Sequence, residues 1–134
     1  MRDAPYDLEG SADILRALIR IRSDTGSDMG PVVDYSATLL EQGGLEVRRY
    51  GFKAEAPCLV ARYRQHGGEG PRPLLVLACH LDTAGFDESQ WRVDPLGAAV
   101  VKDRVFGRGA LDCKGLAALW MGLLLRYARE GRRF

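Results

Sequence analysis

Apolar residues recur at helical spacing in three parts of this chain. They predict a first helix over residues 11–22, with Ser11 as its N-cap, and a second over 31–42, which stops at a pair of glycines. The clearest pattern predicts a third helix over 114–130. Its apolar stripe is formed by Leu116, Leu119, Trp120, Leu123, Leu124 and Tyr127.

Other segments have the apolar patterns that are typical of strands. Residues 45–50 and 58–64 alternate between apolar and polar and predict two strands. Residues 74–79, LLVLAC, are almost continuously apolar, which is typical of a central strand covered on both faces. Residues 98–107 predict a hairpin that turns at Lys102-Asp103. One face of the 58–64 strand is formed by Leu59, Ala61 and Tyr63.

These segments together predict the α/β fold class, as a mixed domain whose helices flank a sheet of four or five strands. Residues 1–10 are polar and are expected to form a flexible arm, so the domain would cover 11–134. Residues 65–73, rich in Gly and Pro, predict an exposed loop. A chain of 134 residues is long enough to bury a core of its own.

Composition narrows the classes of function. Hydrophobic residues make up 46% and charged residues 28%, which excludes a disordered chain. The net charge of +1 gives no basic footprint for a nucleic acid, and no apolar run or signal peptide indicates a membrane partner or export. The chain's three cysteines, widely spaced, predict neither a disulfide framework nor a zinc knuckle and favour a reduced, cytoplasmic compartment.

His80 and Asp82 directly follow the most buried predicted strand. In open α/β sheets ligands bind at the carboxyl ends of strands, and residues two apart in extended backbone face the same side. A neutral imidazole can bind a transition metal while a nearby carboxylate orients it. The alternative is a histidine at a strand end that is only hydrogen-bonded to a loop aspartate.

The second candidate is FGRGALDCKG, 106–115, a glycine-rich turn that opens the third helix. Its glycines permit tight turns and close approach of the backbone. Asp112 stands directly before the helix, so a role as its N-cap competes with a role at a metal. Arg108 and Lys114 are expected at solvated surface positions and receive no role.

Both candidates belong to one ordered pattern, HLDTAGFDESQWRVDPLGAAVVKDRVFGRGALDCKG, 80–115. It closely resembles the M20 family of zinc metallopeptidases and amidohydrolases, the group that includes acetylornithine deacetylase, succinyl-diaminopimelate desuccinylase, aminoacylase-1 and glutamate carboxypeptidase. The segments ADILRALIRIRS and VVDYSATLLEQGGLEV also resemble the opening of that family. The chain departs from it at Leu96 and Cys113, two differences that are expected to leave the chemistry unchanged.

The resemblance implies a three-layer-type mixed sheet flanked by helices, as the N-terminal part of a zinc-peptidase catalytic domain. It implies that His80 binds one zinc, that Asp112 bridges two zinc ions and is followed by a cis peptide, and that Asp82 supports catalysis by orienting His80. Co²⁺ or Mn²⁺ could replace Zn²⁺. The implied substrate is a small molecule or peptide with a free carboxylate, and the implied reaction is hydrolysis of an amide bond in a peptide or N-acyl amino acid.

Parts of the family's machinery are missing from these residues. In that family a Glu-Glu pair beyond the bridging aspartate supplies the general base and a further ligand, and this sequence contains no Glu-Glu dipeptide. The distal histidine and the dimerisation domain are absent too, so a homodimer is expected only in a full-length form. Two protein ligands are too few for a zinc site, which usually takes four, or three plus water, so we expect weak metal binding and no efficient hydrolysis by this chain alone.

Three alternatives remain open. The chain is the N-terminal portion of a hydrolase, a non-catalytic remnant that acts as a binding or interaction module, or an unrelated α/β domain in which the motifs arose by chance. Neither Cys79 nor Cys113 is predicted to bind metal, because buried cysteine is common. The identity of the substrate and of the native metal is not encoded in these motifs.

Overall fold

Residues 9–51, 57–64 and 75–132 are described by the computed structural model. In that part of the chain three helices and four short strands follow one another as α1 (Glu9–Arg20), α2 (Gly30–Gln42), β1 (Glu46–Gly51), β2 (Pro57–Arg62), β3 (Ala99–Val101), β4 (Arg104–Phe106) and α3 (Lys114–Glu130). A 3-10 turn spans Glu88–Gln90. None of the described helices is both long and apolar enough to cross a bilayer.

Helices α1 and α3 pack against each other. Helix α1 begins two residues earlier than predicted, so Ser11 lies inside its first turn, and the N-cap prediction is wrong. The Ser11 side chain is buried against α3, since a Cβ added at Gly122 would lie 2.2 Å from Ser11 Oγ. Ser11 therefore serves the contact between two helices rather than the end of one.

The bounds predicted for α3 are confirmed, but its buried face is not the predicted stripe. Ala117, Ala118 and Met121 are buried, whereas Leu119 is 44% exposed. Small side chains let the backbones of α1 and α3 approach, while Leu124 and Leu125 are partly buried against the core. The core cluster is formed by Ile14, Leu18, Val32, Val33, Leu40, Leu45, Ala117, Ala118 and Met121.

The antiparallel hairpin β1–β2 covers the core from the side of α2. Leu59, Ala61 and Tyr63 pack against the core, as the alternation predicted, while Val60 on the opposite face is 46% exposed. Strands β3 and β4 form the hairpin that was predicted over 98–107. Its two turn residues, Lys102 and Asp103, have φ values of 45° and 53°, as a type I′ turn requires.

The prediction of a central strand over 74–79 is wrong for the described residues 75–79, which belong to no strand. Leu75 is 52% exposed and Val76 is 72% exposed, so neither side is covered. A strand needs a ladder partner, and the described strands pair only within two separate two-stranded sheets rather than in one sheet of four or five. The mixed α/β class is confirmed, although the single sheet is not.

Two predicted features fall wholly or partly outside the described residues. The flexible arm was predicted over 1–10, of which Glu9 and Gly10 begin α1 and the rest is not described. The loop predicted over 65–73, which contains His66, is not described.

Candidate metal centre

The segment that carries His80 and Asp82 is held against the residues that follow α1. Thr83 N donates to Ser23 O at 2.9 Å, and Ser23 Oγ donates to Leu81 O at 2.8 Å. Ser23 is 1% exposed and Thr83 is 4% exposed, so these bonds are shielded from water. These two hydrogen bonds fix the backbone on both sides of Asp82. The segment can therefore hold the side chains of His80 and Asp82 in place although it is not a strand.

The glycine-rich turn before α3 lies close to the same segment. Gly109 has a φ of 83°, and a Cβ added there would lie 2.7 Å from Thr83 Cγ2. A Cβ added at Gly107 would lie 2.5 Å from Ile19 Cγ2. Only glycine satisfies both the backbone conformation and the contact at Gly109, so the turn brings Asp112 to the loop that carries His80.

Lys114 is a buried cation, not the solvated residue that was predicted. Its side chain is 1% exposed, and Nζ donates to Leu18 O and Ile21 O, both at 2.8 Å. Burial lowers the pKa of Lys114 to about 8, while the charge of Asp24 opposes this shift. These carbonyls lie at the end of α1, where a positive charge is favourable, so Lys114 joins the end of α1 to the start of α3.

A signal for this role was present in the sequence. A lysine in the first turn of a helix faces the positive end of the helix dipole, which is unfavourable. A lysine in this position is stabilised by a negatively polarised partner elsewhere. For Lys114 that partner is the carbonyl groups at the C-terminal end of α1.

The structure brings His80 and Asp112 together from positions 32 residues apart. His80 Nε2 lies 3.0 Å from Asp112 Oδ1, and His80 Nδ1 lies 3.0 Å from the backbone oxygen of Asp82. The Asp82 carboxylate is slightly farther, with Oδ1 3.4 Å from Nδ1. The side chains of His80 and Asp112 are 47% and 85% exposed, so the pair lies open to solvent.

These contacts orient the imidazole of His80. A carbonyl oxygen can only accept, so Nδ1 carries a proton and Nε2 is the nitrogen directed at Asp112. The hydrogen bond to the Asp82 backbone oxygen, aided by the Asp112 carboxylate, raises the pKa of His80 above its usual value. In the metal-free chain Nε2 donates a proton to the Asp112 carboxylate. A metal would displace that proton, and the ring, still protonated at Nδ1, would then bind through its Nε2 lone pair.

Asp112 does not cap α3. The helix begins at Lys114, and the residue at its N-cap position is Cys113, whose side chain makes no capping hydrogen bond. The interpretation of Asp112 as an N-cap is therefore wrong, which leaves its carboxylate directed at His80. The peptide bond between Asp112 and Cys113 is cis, as the resemblance implied.

Cys113 was not predicted as a ligand, yet its sulfur joins this pair. Among the residues that the structure describes, the potential ligand atoms of His80, Asp112 and Cys113 all lie within 4.8 Å of one another. Imidazole, carboxylate and thiolate are the three donor types that bind zinc in proteins, so the donor set fits a transition metal. The available signal was its place directly after Asp112.

An aromatic cluster borders the loop after Asp82. Phe86 and Trp91 meet edge to face with centroids 6.2 Å apart, and the Arg108 guanidinium lies 5.2 Å from the Trp91 ring centroid. Arg108 Nη2 also lies 3.4 Å from Gly85 O. Arg108, like Lys114, was expected to be solvated, but its guanidinium contacts Trp91 and Gly85. It therefore connects the glycine-rich turn to the loop after the H-x-D motif.

No family model matches this chain. Curated relatives do match it, and the three described next are named succinyl-diaminopimelate desuccinylase. The protein of Methylobacterium radiotolerans is 36% identical over 122 residues, which cover 87% of this chain and 30% of the relative. That of Maricaulis maris is 34% identical over 130 residues, or 96% and 32%. That of Orientia tsutsugamushi strain Ikeda is 34% identical over 126 residues, or 91% and 31%.

The chain thus spans about a third of the length of the curated relatives it matches. The matched part of this chain includes residues 80–115, since each match extends over at least 87% of the 134 residues.

Proposed function

We propose that this chain is the N-terminal part of the catalytic domain of an M20-type dinuclear zinc hydrolase, with the three-layer-type architecture of that family. The observation that carries the proposal is the 3.0 Å approach of His80 Nε2 to Asp112 Oδ1, which joins the H-x-D motif to the G-R-G-x-x-D motif in space. The similarity to proteins named as desuccinylases supports the same assignment.

In this proposal His80 and Asp112 bind the metal, with Zn²⁺ favoured and Co²⁺ or Mn²⁺ as substitutes. Asp82 is a positioning residue, because its backbone oxygen and carboxylate lie on the Nδ1 side of the His80 ring. The bound metal would polarise an amide carbonyl and make a water molecule more acidic. Lys114 anchors the segment that carries Asp112 through its hydrogen bonds to the end of α1.

The proposed reaction is hydrolysis of an amide bond in an N-acyl amino acid or peptide that has a free carboxylate. N-Succinyl-diaminopimelate is the first substrate to test, since the relatives are named for it. We propose the cytoplasm as the compartment. The sequence has no Glu-Glu pair to supply a general base, so we propose that these 134 residues alone do not hydrolyse substrate efficiently.

A second candidate is a non-catalytic module that binds another polypeptide. It is favoured by the apolar side chains that the segment leading to His80 presents to solvent, with Leu75 at 52% and Val76 at 72% exposed. The two candidates differ in one expectation. Only the hydrolase requires His80, as a metal ligand, for the activity of the full-length protein.

The test is a chimera in which this chain replaces the matched part of the Methylobacterium radiotolerans desuccinylase. We expect metal-dependent hydrolysis of N-succinyl-diaminopimelate. His80→Ala should lower kcat/KM at least about 1,000-fold, which corresponds to about 4 kcal/mol of transition-state stabilisation. The matched control is His66→Ala, at the only other histidine of the sequence, which should retain activity.

Full activity of the His80→Ala chimera would rule out His80 as a metal ligand. A chimera that folds but binds no zinc and hydrolyses nothing would contradict the proposal as a whole and would favour the binding module.

A further inference from the structure

We propose that Cys113 is a third protein ligand of the metal at His80 and Asp112, which makes this a mixed nitrogen, oxygen and sulfur site. The inference rests on the proposed function only in that His80 and Asp112 are metal ligands in both. It revises the expectation that cysteine at this position leaves the chemistry unchanged.

The geometry of the three side chains supports ligation by Cys113. Their ligand atoms all lie within 4.8 Å of one another. Tetrahedral zinc, with bonds of about 2.0–2.1 Å to nitrogen or oxygen and about 2.3 Å to sulfur, places its ligand atoms about 3.3–3.6 Å apart. The 3.0 Å between His80 Nε2 and Asp112 Oδ1 is already close to this spacing. The distances from the sulfur, at most 4.8 Å, need to shorten by no more than about 1.2–1.5 Å.

The surroundings of the three residues permit that movement. His80 is 47% exposed and Asp112 is 85% exposed, so side-chain rotation meets little packing. Cys113 has a free thiol and makes no capping hydrogen bond, so its sulfur is committed neither to a disulfide nor to the end of α3. The backbone beneath them is nevertheless fixed, because Lys114 is anchored by two hydrogen bonds to the end of α1.

A third ligand changes what this chain can bind. Two protein ligands hold zinc poorly, whereas three ligands plus water form an open site of the catalytic type. A thiol that binds the metal loses its proton to water, and a thiolate favours Zn²⁺ or Co²⁺ over Mn²⁺ or Mg²⁺. We therefore infer that the 134-residue chain binds Zn²⁺ and Co²⁺ and prefers them to Mn²⁺.

The test is a titration of the purified 134-residue chain with Co²⁺, followed by absorbance. Bound Co²⁺ has visible ligand-field bands whatever its ligands are, whereas a near-ultraviolet charge-transfer band appears only when sulfur is bound. We expect both in the unaltered chain. Cys113→Ser should lose the charge-transfer band and weaken Co²⁺ binding at least about tenfold. The control variants Cys58→Ser, on β2, and Cys79→Ser should keep the band, since neither residue belongs to the three-residue group.

Visible bands without the charge-transfer band in the unaltered chain would overturn ligation by Cys113 and leave the His80–Asp112 site standing. Ligation by Cys113 is likewise overturned if the band survives in Cys113→Ser or disappears in Cys79→Ser. Absence of any Co²⁺ spectrum would overturn both this inference and metal binding by His80 and Asp112.

A second measurement avoids dependence on the folding of the serine variant. In the unaltered chain, Zn²⁺ should protect Cys113 from alkylation by iodoacetamide, as read from peptide masses, while Cys58 stays reactive. Equal alkylation of Cys113 with and without Zn²⁺ would overturn the inference.

Discussion

Lys114 is the residue that connects the core to the candidate centre. Its aliphatic stem lies beneath Gly109, where an added Cβ would be 3.0 Å from Lys114 Cδ, and its Nζ reaches the end of α1. Asp112 and Cys113 immediately precede it in the chain. Their positions relative to His80 therefore depend on whether this buried side chain stays in place.

Stability should depend on the protonation of Lys114. Its pKa is lowered from 10.5 to about 8 by burial, so below pH 8 the lysine is charged in the folded and the unfolded chain, and the cost of burial is fully present. Between pH 8 and 10.5 the folded chain releases the proton while the unfolded chain retains it, so the free energy of unfolding should rise with pH. We expect a gain of about 2 kcal/mol from pH 7 to pH 10 relative to Lys114→Met.

Urea denaturation of both proteins at the two pH values measures this difference. Methionine carries no proton there, and the other titrating groups are common to both proteins. A difference in unfolding free energy that is independent of pH would show that Lys114 keeps its charge when folded.

The site residues differ in how far the sequence predicted them. His80 and Asp112 were found because their motifs have recognisable spacing, and the structure places them in contact, although their role at a metal stays a prediction. Cys113 was discounted because buried cysteine is common, and only the local backbone shows that its sulfur is near the pair. Lys114 was missed because its partners are backbone carbonyls, and the local signal, a lysine in the first turn of a helix, does not show which carbonyls it contacts.

At the scale of elements, the starts of α1 and α3 allow a controlled comparison. Gly10 and Gly115 each occupy the second position of their helix. A Cβ added at Gly115 would lie 2.3 Å from the backbone oxygen of Ala110, whereas one added at Gly10 meets no described atom within 4 Å. The glycine is therefore required by contact in α3 but not in α1.

Gly115→Ala should lower the free energy of unfolding by about 1–3 kcal/mol, because the clash is with backbone that cannot rotate away. Gly10→Ala should be neutral or stabilise by up to about 1 kcal/mol, since alanine favours the helix. Chemical denaturation of the two variants measures both effects. If the two variants had equal stability, the turn over Ala110 would not be tight in solution.

The ends of most helices and strands follow from local sequence signals, whereas the pairing of strands and the buried face of α3 do not. The ends of α2 and α3, the strands β1 and β2 and the β3–β4 hairpin were predicted well, because glycine, proline and alternation act locally. The apolar run at 75–79 was predicted as a strand because apolar residues alone do not reveal whether a pairing partner is present. The face of α3 was misplaced because Ala117 and Ala118 carry little hydrophobic signal but allow the closest packing.

At the scale of the whole molecule, most of the exposed apolar surface lies on segments that do not form the buried core. The core joins α1, α2 and α3 to the inner face of the β1–β2 hairpin. Large apolar side chains remain exposed elsewhere, including Leu75, Val76, Val100, Val101, Phe106 and Leu111. Relatives that match this chain are about three times its length, and we propose that in such proteins additional polypeptide covers this surface.

The exposed surface should make the 134-residue chain associate with itself as its concentration rises, because burial of apolar side chains is favourable wherever they can meet. Val76→Lys should reduce this association, since Val76 is 72% exposed on the segment before His80. The control is Val60→Glu on β2, where the exposed valine is paired with Arg48 across the hairpin and an added negative charge faces a positive one, so the fold should change little. Sedimentation velocity over a range of concentrations measures the effect. A chain that stays monomeric throughout, or associates equally in both variants, would show that the segment before His80 is not a contact surface and would remove the main support for the binding-module alternative.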